Sequence, residues 1–249
     1  MTGPRFVGLD LAWGERARTG IAVLDADGRL DRSTSVRTDD EIAEFLGDYA
    51  TDRGIVAAID APLIVPNESG SRRCEKEITA AFGRFHAGAY PSNRGRPQFV
   101  PEPRAARLAR RFGWNVDPET PVTAHVALAL EVYPHPAMVT LLGLPRVLPY
   151  KGKGRRTVAS RQAAFTELRD RMEQHVGALL HLGAHARWAH IRSEVATATR
   201  PVDLDRVEDE VDAIWCAYLA WAWVHDRGML HVYGDATEGY IVAPLPPSA

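Results

Sequence analysis

Two short apolar runs constrain this chain more than anything else in it. Arg5-Phe6-Val7-Gly8-Leu9-Asp10-Leu11-Ala12 and Ile55-Val56-Ala57-Ala58-Ile59-Asp60 have the length of strands, and each carries a single carboxylate towards its C-terminal end. The second run is apolar throughout, as suits a strand covered on both faces in the parallel part of a mixed sheet. An aspartate among buried apolar residues costs on the order of several kcal/mol unless a cation or strong donors compensate its charge. Gly8 keeps the first strand's backbone approachable, and Ala12 leaves the space beyond Asp10 open. Taken alone, Asp10 reads as the cap of a loop; a further acid in the same setting at Asp60 argues against that.

The segments around these runs supply the rest of a sheet. Thr19–Leu24 reads as a second strand, Asp25-Ala26-Asp27-Gly28 as a turn, and Leu30–Val36 as a third strand, giving an antiparallel meander. Thr38-Asp39-Asp40-Glu41 is a capping box with acids in the first turn, opening a helix with Ile42, Phe45, Leu46 and Tyr49 at helical spacing. Val126–Tyr133 reads as a fifth strand carrying Glu131, stopped by Pro134-His135-Pro136 and followed by a short helix, Ala137–Leu142. Between the fourth and fifth strands the pattern breaks. Proline recurs at 62, 66, 91, 97, 101, 103, 118 and 121, which favours irregular surface structure, with short helices around Arg72–Phe82 and Pro103–Phe112. The expectation is one domain over residues 1–249, with a partly helical insertion at about 62–125 lying over the open end of the site.

The C-terminal half is helical. Ser160 is expected to cap a helix with Phe165, Leu168 and Met172 on one face, and Met229–Tyr233 and Tyr240–Ala243 read as a terminal strand or two. His181 and His185 have the i, i+4 spacing of a helical metal pair, but no nearby acid or cysteine completes a zinc set. A long helix is expected over Asp205–Asp226. On it Asp209 and Asp212 share a face with Ala213, Cys216 and Ala220, small residues that let a helix lie close on a sheet. The helix dipole accounts for Asp203, Asp205 and Glu208 near its start, and less well for Asp212, about two turns in.

Charge then narrows the function. The net charge is −2, which argues against a generic nucleic-acid coat. Local excesses are larger: seven arginines between Arg84 and Arg111 face only Glu102, and Lys151–Arg161 holds five basic residues and no acid. Such basic segments beside an acidic cluster are what a metal-dependent phosphodiesterase requires. No apolar run approaches the length of a membrane span, and Cys74 and Cys216 form no disulfide framework, so a cytoplasmic protein with reduced thiols is expected.

Three antiparallel strands, a crossover helix and a fourth strand parallel to the first resemble the ribonuclease H-like fold, a five-stranded mixed sheet flanked by helices. In that arrangement the first and fourth strands lie side by side. Asp10 and Asp60 then converge, with Glu131, Asp212 and Asp209 completing an oxygen-rich pocket suited to Mg²⁺ or Mn²⁺. A two-ion site of this kind clamps the attacking and leaving oxygens of an in-line phosphoryl displacement. Catalytic roles are expected for Asp10, Asp60, Glu131 and Asp212, and metal ligation for Asp10, Asp60, Asp209 and Asp212. Substrate phosphates are expected on Lys151, Lys153, Arg155 and Arg156, and on Arg94 and Arg96 of the insertion.

Gly8-Leu9-Asp10-Leu11-Ala12, Ile59-Asp60-Ala61-Pro62, Glu131-Val132-Tyr133-Pro134 and Asp209-Glu210-Val211-Asp212-Ala213 together resemble the predicted ribonuclease H-like nucleases known as domain of unknown function 429. The resemblance spans nearly the whole chain. It implies the fold and the carboxylate site and, by wider analogy with Holliday-junction resolvases, metal binding by Asp10, Asp60 and Asp212. The function expected is a divalent-metal-dependent nuclease with a DNA or RNA partner, no membrane partner, and a homodimer allowed. A non-catalytic binding or scaffold protein with the same fold is the alternative. A sugar kinase or ATPase fits less well, because the chain is short for two such domains and Ala12-Trp13-Gly14 replaces the usual phosphate turn.

Overall fold

The computed structural model describes residues 3–14, 16–47, 54–123, 126–152 and 154–247. The first three strands are β1 (Arg5–Asp10), β2 (Thr19–Leu24) and β3 (Leu30–Val36), and α1 (Asp39–Leu46) crosses over to β4 (Ile55–Ile59). Helices α2 (Arg73–Phe82) and α3 (Arg104–Phe112) precede β5 (Leu128–Glu131) and α4 (Pro134–Leu141). Then come α5 (Val158–Val176), α6 (Ala186–Thr197), α7 (Pro201–Asp205), α8 (Glu208–His225), β6 (His231–Asp235) and β7 (Gly239–Ala243). The main sheet has five strands in the order β3-β2-β1-β4-β5: β1, β2 and β3 are antiparallel, and β4 and β5 run parallel to β1. Strands β6 and β7 pair as a separate hairpin.

Local chemistry explains several elements. Thr38 accepts from the Glu41 backbone N–H while the Glu41 side chain returns to the Thr38 N–H, so the capping box forms. The Pro134-His135-Pro136 segment opens α4 instead of preceding a later helix, because proline at the first helical position loses no hydrogen bond. Thr157, not Ser160, caps α5. The long C-terminal helix is broken at Arg206-Val207 into α7 and α8. His181 and His185 flank a short 3₁₀ turn, so they do not share a helix face.

Helix α8 is the inner pillar. It lies across β1, β2 and β4, with most of its residues buried. The approach is close because the sheet face beneath it is small. A Cβ placed on Gly8 would come 1.9 Å from the Ala213 carbonyl oxygen, and one on Gly20 would come 1.8 Å from that of Asp209. The expected stripe of small helix residues thus has a counterpart in two strand glycines. The insertion adds no strand to the five-stranded sheet among the described residues. Its α2 packs on the β6–β7 hairpin through Cys74, Ile78 and Phe82, forming a second apolar cluster with Tyr233 and Ile241.

The arginine excess of the insertion is largely absorbed by structure. Arg104, buried, donates to Asp39 Oδ1 at 2.7 Å, to the Ala12 carbonyl at 2.9 Å and to the Arg37 carbonyl at 2.7 Å. Arg107 also pairs with Asp39, Arg110 with Glu102, and Arg111 with Asp40. These contacts tie α3 to α1 and to the loop after Asp10. No described helix is long and apolar enough to cross a membrane.

A candidate carboxylate centre at the sheet edge

Parallel pairing sets the geometry. Leu9 is opposite Ile59, and the Asp60 N–H donates to the Leu9 carbonyl at 2.8 Å, so Asp10 and Asp60 leave neighbouring strands at the same edge. Residues two apart on a strand share a face, so Asp10 projects on the Gly8 side, beneath α8. About one turn into that helix, Asp212 is fully buried and reaches the same place.

An ammonium joins them. Lys151 Nζ lies 3.0 Å from Asp10 Oδ2 and 2.6 Å from Asp212 Oδ2. The ammonium thus spans the two acids, pairing with Asp212 Oδ2 as closely as with Asp10. The Tyr150 hydroxyl donates to Asp212 Oδ1 at 2.7 Å, which leaves its oxygen to accept from His135 Nε2, 3.3 Å away. Arg161, buried, holds this segment by donating from Nε to the Tyr150 carbonyl at 2.9 Å, and pairs with Asp205 and Glu208. Two acids assigned to the helix dipole on sequence grounds are therefore partners of Arg161. Sequence reasoning missed Tyr150, His135 and Arg161. Of these, only Arg161 carried a signal, as a basic residue in a segment without acids.

Glu131 takes a different position. It pairs with Ile59 across β4 and β5, one residue out of step with Asp60, yet it still lines the cleft that Asp10 and Asp60 line. There it forms a two-pronged ion pair with Arg72, with Nη1–Oε2 at 2.9 Å and Nη2–Oε1 at 2.5 Å, and accepts from the Leu63 N–H at 2.9 Å. Its charge is already matched. The Asp60 carboxylate, by contrast, has no hydrogen-bond or ion-pair partner among the described residues. It faces a cleft of about 280 Å³ also lined by Asp10, Trp13, Tyr90, Lys151 and the Glu131–Arg72 pair. Tyr90 and Ser92 bring the insertion to the rim of this cleft.

Burial and like charge act together here. Burial raises Asp60 well above the usual carboxylate range, and the charge of Asp10 adds to it. Burial also raises Asp10, which Lys151 draws back and Asp212 pushes up again. Burial alone would depress the Lys151 ammonium, but Asp10 and Asp212 hold it well above the ordinary lysine value. Asp209, beside the cluster, is pushed from 3.8 to about 8 by burial and then by Asp10, and Glu208 from 4.5 to about 7 by burial.

The expected phosphate-holding residues divide. Lys151 is inside the acidic centre instead of on an exposed phosphate-wrapping loop, because Asp10 and Asp212 give its charge a partly buried partner. Arg156 lines an adjoining lobe of about 210 Å³ with His86, His135 and Tyr133, and donates to the Lys151 carbonyl at 2.8 Å. Arg94, Arg96 and Arg155 line neither space, and Arg94 is 3.5 Å from Glu68. Lys153 lies outside the described residues.

A family model described as a protein of unknown function, DUF429, matches residues 8–238, which include every residue of this centre. The chain belongs to this family. No curated protein and no solved structure matches it. Within this DUF429 chain the donor set is all oxygen, which suits a hard cation such as Mg²⁺ or Mn²⁺. Among the described residues, no three His, Cys, Asp or Glu side chains are grouped to hold one ion. Magnesium sites commonly use only one or two carboxylates, completed by water and substrate phosphate, and the unpartnered Asp60 beside Asp10 fits that requirement.

The raised acids fix a pH dependence. Between about pH 4 and 8 the folded chain keeps protons on Asp209 and Glu208 that the unfolded chain has released. Their contribution to stability is complete below about pH 4 and is lost as pH rises through about 7 and 8. In EDTA, the unfolding free energy of Asp209→Asn is therefore expected to fall less steeply than wild type between pH 5 and 8. Urea titrations across that range check this, and parallel slopes would refute it.

Proposed function

We propose that this chain is a divalent-metal-dependent phosphodiesterase acting on nucleic acid, built on a ribonuclease H-like sheet. The observation that carries this reading is the meeting of Asp10 and Asp60 at adjacent parallel strand ends, with Asp212 delivered by α8. Asp10 and Asp60 hold the ion, and Asp209 lies beside them as a protonatable neighbour. A bound divalent cation supplies positive charge against the negative charge that develops on the phosphoryl group. Arg156 and His135 line the adjoining lobe, where a flanking phosphate fits, and Tyr90 and Trp13 offer aromatic surface at the cleft for a base. Glu131 serves structure, since Arg72 already neutralises it.

One observation also favours a binding protein without catalysis: Lys151 already supplies positive charge to Asp10 and Asp212. A single assay separates the two. Labelled single-stranded, double-stranded and branched DNA and RNA are incubated with Mg²⁺ or Mn²⁺ and with either wild type or Asp10→Asn. Cleavage by wild type that falls by roughly 100-fold or more in Asp10→Asn is expected, the scale of losing one electrostatic stabiliser of the reacting group. Binding without cleavage of any substrate would establish the second reading.

A further inference from the structure

We infer that Lys151 occupies one of the two cation positions that Asp10, Asp60 and Asp212 create, so that the centre takes a single divalent ion and uses the ammonium in place of a second. The inference rests on the metal-dependent reading above and changes its stoichiometry.

The ammonium is built in. Its side chain is only 18% exposed, and Nζ lies between Asp10 Oδ2 and Asp212 Oδ2. The backbone that carries it is held on both sides, by Arg161 on the Tyr150 carbonyl and by Arg156 on the Lys151 carbonyl. Tyr150 fixes the same segment to Asp212 through its hydroxyl. A solvated surface lysine has no such anchors.

Both oxygens of Asp212 are then engaged, Oδ1 by Tyr150 and Oδ2 by the ammonium. Of the acids lining the cleft, Asp60 is the one whose carboxylate has no partner among the described residues, with Asp10 beside it. With Asp10, Asp60 and Asp212 ionised, three carboxylates against one ammonium leave two negative charges, the complement of one divalent ion. Paired catalytic ions stand about 3.5–4 Å apart. A second ion bridging Asp10 and Asp212 would have to sit where Nζ is. Lysine suits this place because its charge is compact, with three donors that reach two carboxylates at once.

The test counts ions. Purified wild-type chain is titrated with Mn²⁺ by calorimetry, with free Mn²⁺ followed by its paramagnetic resonance. One ion per chain is expected for wild type and for Lys151→Arg, which keeps the charge. Lys151→Met, of similar length and uncharged, is expected either to bind two ions or to bind one at least roughly ten-fold more tightly, the scale of removing a like charge at about 4 Å from a partly buried site. If Lys151→Met does not fold in metal-free buffer, Mn²⁺ is expected to restore its circular dichroism with two ions bound, and failure to do so overturns the inference. Two ions on wild type, none on wild type, or one ion at unchanged affinity on Lys151→Met also overturns it. Two ions with nucleic-acid cleavage would remove the inference and leave the nuclease reading intact. One ion without cleavage would do the reverse.

Discussion

Arg72→Met is expected to lower the unfolding free energy by about 3–5 kcal/mol, the cost of breaking a buried ion pair from one side. Arg72 and its partners Glu75 and Glu131 are almost fully buried. The guanidinium donates to Glu131 through both terminal nitrogens, to Glu75 Oε1 at 2.9 Å and to the Ile64 carbonyl at 2.9 Å. Glu75 in turn accepts from the Arg72 and Ser92 backbone N–H groups. One side chain therefore joins the end of β5, the loop after β4, the start of α2 and the rim of the cleft. Methionine fills the space but leaves two carboxylates buried against each other. For a chain of this size the loss corresponds to a fall in Tm of roughly 6–20 °C. Thermal melts and urea unfolding measure it, and the double variant Arg72→Met/Glu131→Gln should recover part of the loss. A change under about 1 kcal/mol would show that the network contributes little.

Gly8→Ala is expected to destabilise by about 3 kcal/mol or more, at the upper end for an overpacked core. The added Cβ would lie 1.9 Å from the Ala213 carbonyl oxygen and 2.2 Å from the Ala217 nitrogen. Both are backbone atoms, so no side chain can turn aside and α8 itself must lift. Lifting α8 also draws Asp212 away from Asp10, so Mn²⁺ binding should weaken along with the fold. Gly183→Ala is the control, since a Cβ there meets nothing within 4 Å. Its melting temperature should stay within a degree or two of wild type, and equal losses for the two variants would contradict the close-approach argument.

The sequence by itself determined what local periodicity and chemistry can encode. The apolar runs of β1, β2 and β4 are read directly, and the Thr38–Glu41 capping box forms as its spacing predicts. Asp10 and Asp60 were legible as a pair because each ends such a run, and strand order then placed them together. Other features depend on partners distant in sequence. Glu131 looked equivalent to Asp60 and shares its cleft, but Arg72, 59 residues away along the chain, takes both its oxygens. The arginines of the insertion looked like a grip for phosphate until Asp39, Asp40 and Glu102 were seen to pair with them. Lys151 was expected to hold substrate phosphate on an exposed loop, yet it sits between Asp10 and Asp212, 141 and 61 residues away along the chain. A sequence states which charges a chain carries, and apolar spacing fixes which segments become strands and helices. Which charge meets which is decided only when sheet register and helix packing bring distant side chains within a few ångströms, where desolvation makes each pairing obligatory.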